Sequence, residues 1–192
     1  MKIRINSYIP KTNVEGPGTR FCIWVQGCSL HCIGCANYKM WDKSGGTEYD
    51  TSEIIDLIKL YKDRIEGVTF LGGEPTEQIE AVTEISKEVQ NMGLSVLVFT
   101  GYIFKELEQR KDFQELIKYV DILIDGRFEK EKVDYSRAWV GSSNQNYYFL
   151  TDRYNNSVIY NFKNKIEIRL KPDKTIVMTG MGDFEKAGKA LL

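Results

Sequence analysis

Apolar residues along this chain follow two alternating rhythms. Residues 20–26 (Arg-Phe-Cys-Ile-Trp-Val-Gln) are an aromatic and β-branched run that stops at Gly27, the pattern of a buried strand. Residues 51–64 place Ile54, Ile55, Leu57, Ile58 and Tyr61 at helical spacing, behind Asp50 as N-cap and Glu53 at the third helical position. Those two residues form a capping box. Val68–Leu71 is a short apolar strand running into Gly72-Gly73-Glu74-Pro75, and Glu77–Met92 returns to helical spacing with Gly93 as its C-cap. A strand over Leu94–Thr100, a turn at Gly101, a helical stretch over about Phe104–Tyr119 and a strand over Val120–Ile124 ending at Asp125-Gly126 continue the alternation.

Strand and helix alternate through 20–125, which predicts parallel βαβ units with right-handed crossovers and functional loops at the carboxyl ends of the strands. A closed eight-unit barrel takes about 250 residues. A chain of 192 residues therefore predicts an α/β fold built as an incomplete, open parallel (β/α) barrel. After residue 126 the rhythm changes. Tyr147–Leu150, Val158–Phe162, Ile166–Leu170 and Thr175–Thr179 predict short strands, the last two joined by the turn Lys171-Pro172-Asp173-Lys174. The expectation is one domain over 1–192, with a core at about 14–150 and a C-terminal antiparallel β extension at about 151–192. Asn155-Asn156-Ser157 predicts an exposed loop.

Lys+Arg 26 against Asp+Glu 27 leaves a net charge of -1 with no long run of either sign. Neither a nucleic acid nor an anionic membrane is expected as a partner. No stretch approaches the roughly 20 apolar residues of a membrane span, and the N-terminus lacks the apolar core of a secretory signal. The cytoplasm is the expected location. One histidine, His31, leaves hydrolytic schemes short of a general base. Three of the four cysteines crowd into Cys28-Ser-Leu-His-Cys32-Ile-Gly-Cys35. In a reducing compartment that crowding points to metal rather than disulfides.

Three thiolates ligate three irons of a [4Fe–4S] cluster that otherwise takes four such ligands, so one iron is left open. From the residues alone, a structural zinc site and a four-cysteine electron-transfer cluster completed by Cys22 are the competing readings. Cys22 sits in the middle of an apolar run, where an unliganded cysteine packs as a small hydrophobe. His31, next to Cys32, reads as a loop residue near the metal.

The C-x3-C-x2-C spacing directly after a strand, with Gly72-Gly73-Glu74 at the end of the next one, resembles the radical S-adenosylmethionine (SAM) superfamily. Within it the chain, from about Val14 to Leu150, looks most like the activating proteins of anaerobic ribonucleotide reductase. The pieces are Gly16-Pro17-Gly18-Thr19-Arg20, Val25-Gln26-Gly27-Cys28, Gly72-Gly73-Glu74-Pro75, Thr100-Gly101-Tyr102, residues 120–126 and Trp139-Val140-Gly141-Ser142-Ser143-Asn144-Gln145. The resemblance implies that Cys28, Cys32 and Cys35 hold a [4Fe–4S] cluster whose open iron is chelated by SAM. One electron, from a flavodoxin or ferredoxin, then cleaves SAM to a 5′-deoxyadenosyl radical. That radical abstracts a hydrogen atom, here from a glycine of a glycyl-radical enzyme such as anaerobic ribonucleotide reductase.

It also implies cofactor contacts. Gly72, Gly73 and Glu74 would meet the ammonium of SAM, Thr100 and Tyr102 would lie in its immediate surroundings, and so would Asp125 and Arg127, with Arg127 paired to the carboxylate. On the residues alone, Asp125 reads equally well as a turn cap and Arg127 as a surface charge. Trp139 reads as a core aromatic, and Gly141–Gln145 as a polar turn or a functional segment. The sequence departs from the superfamily beside the last cysteine, where Gly34 and Ala36 stand in place of an aromatic that would contact adenine; Tyr38 is the nearest substitute. It also continues well past Gln145, where the shorter activating proteins soon end. Two other classes share the cysteine motif: a radical SAM enzyme acting on a small molecule, as in deazapurine synthesis, or on a peptide; and a non-enzymatic zinc or electron-transfer protein. With one cysteine outside the triad, further four-cysteine clusters are excluded.

Overall fold

The computed structural model describes residues 1–189; residues 190–192, the end of the expected extension, lie outside the described residues. Seven strands form one open, mixed sheet. The parallel centre consists of β2 (Arg20–Val25), β4 (Gly67–Gly72), β5 (Ser95–Phe99) and β6 (Ile122–Asp125), in that spatial order. Its edges are antiparallel: β1 (Lys2–Thr12) beside β2, β3 (Thr47–Asp50) beside β1, and β7 (Asn146–Phe149) beside β6. Each expected parallel strand is present, but the sheet does not close.

The crossovers are α1 (Thr51–Lys59), α2 (Ile79–Asn91), and a pair of short helices, α3 (Phe104–Leu107) and α4 (Lys111–Leu116), where one helical stretch was expected. The capping box forms at α1: the Asp50 amide donates to Glu53 Oε2 at 2.7 Å. Gly93 takes φ +77° just past α2, the left-handed C-cap that its position predicts.

All six residues of β2 are buried, because the sheet is covered on both faces. Phe21, Ile23 and Val25 point to one face with Val68, Phe70, Val96 and Val98, and pack under Ile54 and Ile58 of α1, Val82 and Ile85 of α2, and Phe113 and Leu116 of α4. Cys22, Trp24 and Leu71 point to the other, inner face. There Leu97, Ile122 and Ile124 meet Trp139 and Val140. Cys22 and Trp139 are thus core residues, as expected. The inner face also holds Arg20, fully buried, whose guanidinium donates to Thr69 Oγ1 (2.6 Å), Val68 O (2.7 Å), Ser95 Oγ (2.9 Å) and Pro17 O (3.2 Å).

Beyond β7 the chain crosses this inner face. The expected strand Val158–Phe162 is instead a helical turn, α5 (Ser157–Tyr160). The Asn155 side chain accepts the Ser157 amide at 2.9 Å and starts the turn. Val158, Ile159 and Phe162 then fall on one helical face against the Trp139 cluster, a spacing that overrides the β-branched composition. A hairpin of β8 (Ile166–Leu170) and β9 (Ile176–Gly180) follows as expected, with Lys174 at φ +67° in its turn. A last helix, α6 (Phe184–Lys189), has no counterpart in the sequence expectation.

Glu15 anchors the hairpin. It is 3% exposed, its Oε1 accepts the Gly180 amide at 2.6 Å, and its Oε2 is buried without a partner. Burial, helped by the nearby Glu167 and opposed by the Gly180 N–H, pushes its pKa up to about 7. A raised carboxyl pKa means that the folded state holds a proton that the unfolded state has released. Stability is therefore full below the ordinary carboxylate range and declines as pH rises to about 7. Urea midpoints measured at about pH 5 and about pH 8 will show wild type losing up to ~3 kcal/mol more than Glu15→Gln, which stays neutral across the range.

Candidate metal and cofactor site

The cysteine loop leaves the carboxyl end of β2 and is tied down at both ends. The Gly27 amide donates to Met40 O (2.8 Å), Cys28 N to Trp41 O (3.2 Å), and Gln26 Nε2 to Asp42 O (2.6 Å). Glu77, which sequence reasoning passed over, fastens it from the turn before α2. Its carboxylate accepts the Ser29 amide at 2.7 Å and pairs with Lys43 at 3.0 Å. Burial pushes the Glu77 pKa up, but Ser29 and Lys43 outweigh it and hold the acid below its ordinary value.

Cys28, Cys32 and Cys35 line one cavity of about 160 Å³, together with Gly72, Gly73, Glu74 and Thr100 at the ends of the next two parallel strands. These seven residues are the part of the sequence expectation that the structure brings together. Among the described residues no three His, Cys, Asp or Glu side chains close around a single ion. Three soft sulfur ligands on one cavity are a donor set that suits an iron–sulfur group. The N–H groups around the thiols fit it as well. Burial raises the Cys28 thiol, and the Leu30 and His31 amides pull it back; burial raises the Cys35 thiol, and the Asn37 amide, 3.4 Å from its Sγ, and the Trp41 indole pull it back. The Trp41 N–H is buried without a hydrogen-bond partner. Donors aimed at sulfur are the groups that tune an iron–sulfur centre.

Gly72 and Gly73 serve a close approach, but to the protein's own backbone. Gly72 has φ +106°, and a Cβ on it would sit 2.7 Å from the Trp24 Cα; one on Gly73 would strike the Gly27 carbonyl. The Gly73 amide reaches Val25 O and the Glu74 amide Gly27 O, both at 2.8 Å, so the turn after β4 is stitched onto the root of the cysteine loop.

Glu74 is 1% exposed and works as a clamp. Its Oε1 accepts Thr76 N (2.9 Å), Thr76 Oγ1 (2.7 Å) and Thr100 Oγ1 (2.9 Å); its Oε2 accepts Gly101 N (2.8 Å). Burial raises its pKa, against these four donors. The carboxylate thereby locks the end of β4 to the end of β5 at the cavity wall.

Four other expected residues lie outside that lining. Tyr38 is 57% exposed. Tyr102 lines a separate polar cleft with Lys43, Glu77, Arg110 and Asp112. Asp125 is buried and accepts the Phe104 amide (2.7 Å) and the Asn146 side chain (3.0 Å), the cap role that its residue type allowed. Arg127 is exposed. The cavity takes Gly126 and Phe128 instead, then Gln145, whose Oε1 accepts the Gly141 amide at 2.8 Å and whose Nε2 donates to Gly126 O at 3.1 Å. From further away come Trp41 and Met181.

The site is thus a loop of three cysteines at the carboxyl edge of the parallel strands, with backbone N–H groups close to its sulfurs. Residues 14–148 match the 4Fe-4S single cluster domain family. Similar proteins are the anaerobic ribonucleoside-triphosphate reductase-activating proteins of Pasteurella multocida (34% identical over 75% of this chain and 96% of that one) and Haemophilus influenzae (33% over 72% and 92%). The namesake protein of Escherichia coli K12 is 32% identical over 73% of this chain and 94% of that one. The chain belongs to the family of these activating proteins. None of its described helices is long and apolar enough to cross a membrane.

Replacing Glu74 by Ala strands the buried Thr76 amide and the part-buried Gly101 amide and will lower stability by about 2–3 kcal/mol in urea unfolding. Glu74→Gln retains one carbonyl acceptor and will cost about 1–2 kcal/mol. In both variants amide exchange at Gly101 and Tyr102 will speed up.

Proposed function

We propose that this protein is a radical SAM enzyme that activates an anaerobic ribonucleotide reductase by removing a hydrogen atom from a glycine of that partner. What supports the reading is one observation. The three thiols share a cavity with the turn after β4 and the end of β5, so a group seated on the thiols meets the Gly73–Glu74 turn and Thr100 directly. The open parallel sheet with its site at the strand ends suits an incomplete barrel of the radical SAM type.

A [4Fe–4S] cluster held by the three cysteines, with SAM on its open iron, would supply the one-electron chemistry and the hydrogen-abstracting radical. The protein's own part is to hold and orient. Cys28, Cys32 and Cys35 would ligate the cluster as thiolates, with the Leu30, His31 and Asn37 amides and the Trp41 indole as donors to their sulfurs. Gly73, Glu74 and Thr100 would line the cavity beside the cluster, where the Glu74 clamp holds the ends of β4 and β5 together. Asp125 acts further out, by capping the turn that follows β5. A flavodoxin or ferredoxin of the cytoplasm would supply the electron.

Anaerobic reconstitution tests this. The expected product is a brown protein with four irons per chain that converts SAM to 5′-deoxyadenosine. Added reductase will then show a glycyl radical by electron paramagnetic resonance, and deuterium at that glycine will appear in the 5′-deoxyadenosine. One equivalent of zinc and no SAM cleavage would sink the proposal in favour of a structural metal site. SAM cleavage without a glycyl signal would move it to a small-molecule or peptide substrate. Cys28→Ser will lose the four-iron cluster; Cys22→Ser will keep it, because Cys22 is fully buried on the inner face.

A further inference from the structure

The family match ends at residue 148, yet the chain beyond it is built into the molecule. Asn164 clamps it where it leaves α5: its Oδ1 accepts the Trp139 amide at 2.9 Å, and its Nδ2 donates to Arg137 O at 2.7 Å and Tyr135 O at 2.9 Å. Phe162 lies against Trp139 with ring centroids 4.7 Å apart. The hairpin is then fixed to the segment before β2. Thr12 Oγ1 donates to Glu167 Oε2 at 2.8 Å, Arg169 reaches the Lys11 carbonyl, and the Gly180 amide meets Glu15 at 2.6 Å. Gly180 is buried at φ +103°, and a Cβ there would strike the Lys165 carbonyl and lie 3.1 Å from Val14. A side chain at this point has no room. The next residue is Met181, whose amide donates to Lys165 O at 3.2 Å and whose half-buried side chain lines the cysteine cavity.

We infer that Met181, carried by the hairpin, is a wall of that cavity and contacts the group held by Cys28, Cys32 and Cys35. The extension beyond residue 148 is then a working part of the site. Methionine suits the position. It is unbranched and fits an irregular gap, its thioether is soft and apolar, and it has no proton to exchange with a charged neighbour. An apolar wall limits the access of water and solutes to a bound metal group. The inference rests on the cysteines holding such a group, and the SAM contact it implies rests on the proposed function.

The test uses full-length protein, reconstituted without oxygen, and follows the rate at which a water-soluble ferrous chelator strips the iron. Met181→Ala is expected to lose iron roughly tenfold faster than wild type, at equal starting iron content and equal melting temperature. Met181→Leu, which keeps volume and apolarity, is expected to restore the slow rate. Glu167→Ala, which loosens the hairpin without touching the cavity, is expected to fall between them. Equal stripping rates in wild type and Met181→Ala would overturn the inference. Should Met181→Ala take up no cluster, the apo proteins decide: maleimide labelling of the three cysteines is expected to be faster in the variant, and equal rates overturn the inference. Adding SAM to the reduced wild-type cluster separates this from the parent reading. An unchanged paramagnetic spectrum removes SAM as the ligand, while the stripping ratio still decides whether Met181 is the wall.

Discussion

A parallel sheet with no face for water has to be covered twice, and the rest of this structure follows from how the second cover is made. The helices between the strands supply the first cover as a by-product of the right-handed crossover. The inner face has no such automatic partner. It is covered by the loop carrying Trp139, by α5 and by the hairpin, and its central residue, Arg20, is satisfied by hydroxyl and carbonyl oxygens alone. With both faces closed, the exits from the sheet are the strand ends, and the cysteine loop starts at one of them.

Order at those ends comes from carboxylates more than from glycines. Glu74 joins the ends of β4 and β5, Glu77 joins the turn before α2 to the cysteine loop, and Asp125 joins the end of β6 to the start of α3. Each is an acid placed against backbone N–H groups that the strand ends leave free, so the wall of the cavity is made of bonded peptide groups. The flexible glycines between them are spent on strand-to-strand contact at Trp24 and Gly27.

The parallel core was legible in the sequence because strands buried on both faces read as unbroken apolar runs, as in residues 20–26 and 68–71. The strand at the N-terminus was not read. Its alternation of Ile3 and Ile5 breaks at Asn6-Ser7, where the register with β2 shifts in a bulge, and a period-2 signal does not survive an inserted residue. The cysteines announced themselves by spacing, Glu74 by the Gly-Gly turn at a strand end, and Thr100 only through the family resemblance. Gly126 and Phe128 line the cavity where Asp125 and Arg127 had been expected: the strand ends at Asp125, and Gly126 at φ +104° turns the chain there. Met181 had no local signal at all: its place is set by contacts to Glu15 and Lys165, and only the folded chain brings those together.

Those contacts also set an order in time. The Glu15–Gly180 bond joins residues 165 positions apart and the Thr12–Glu167 bond residues 155 apart, whereas β2 and β4 pair across a much shorter stretch. Pairings so distant form late, since loop closure must precede them. During synthesis the sheet and its helices can assemble while the inner face still lacks its hairpin and the cysteine cavity still lacks Met181. The cavity lined by the three cysteines is therefore closed last, from the far end of the chain.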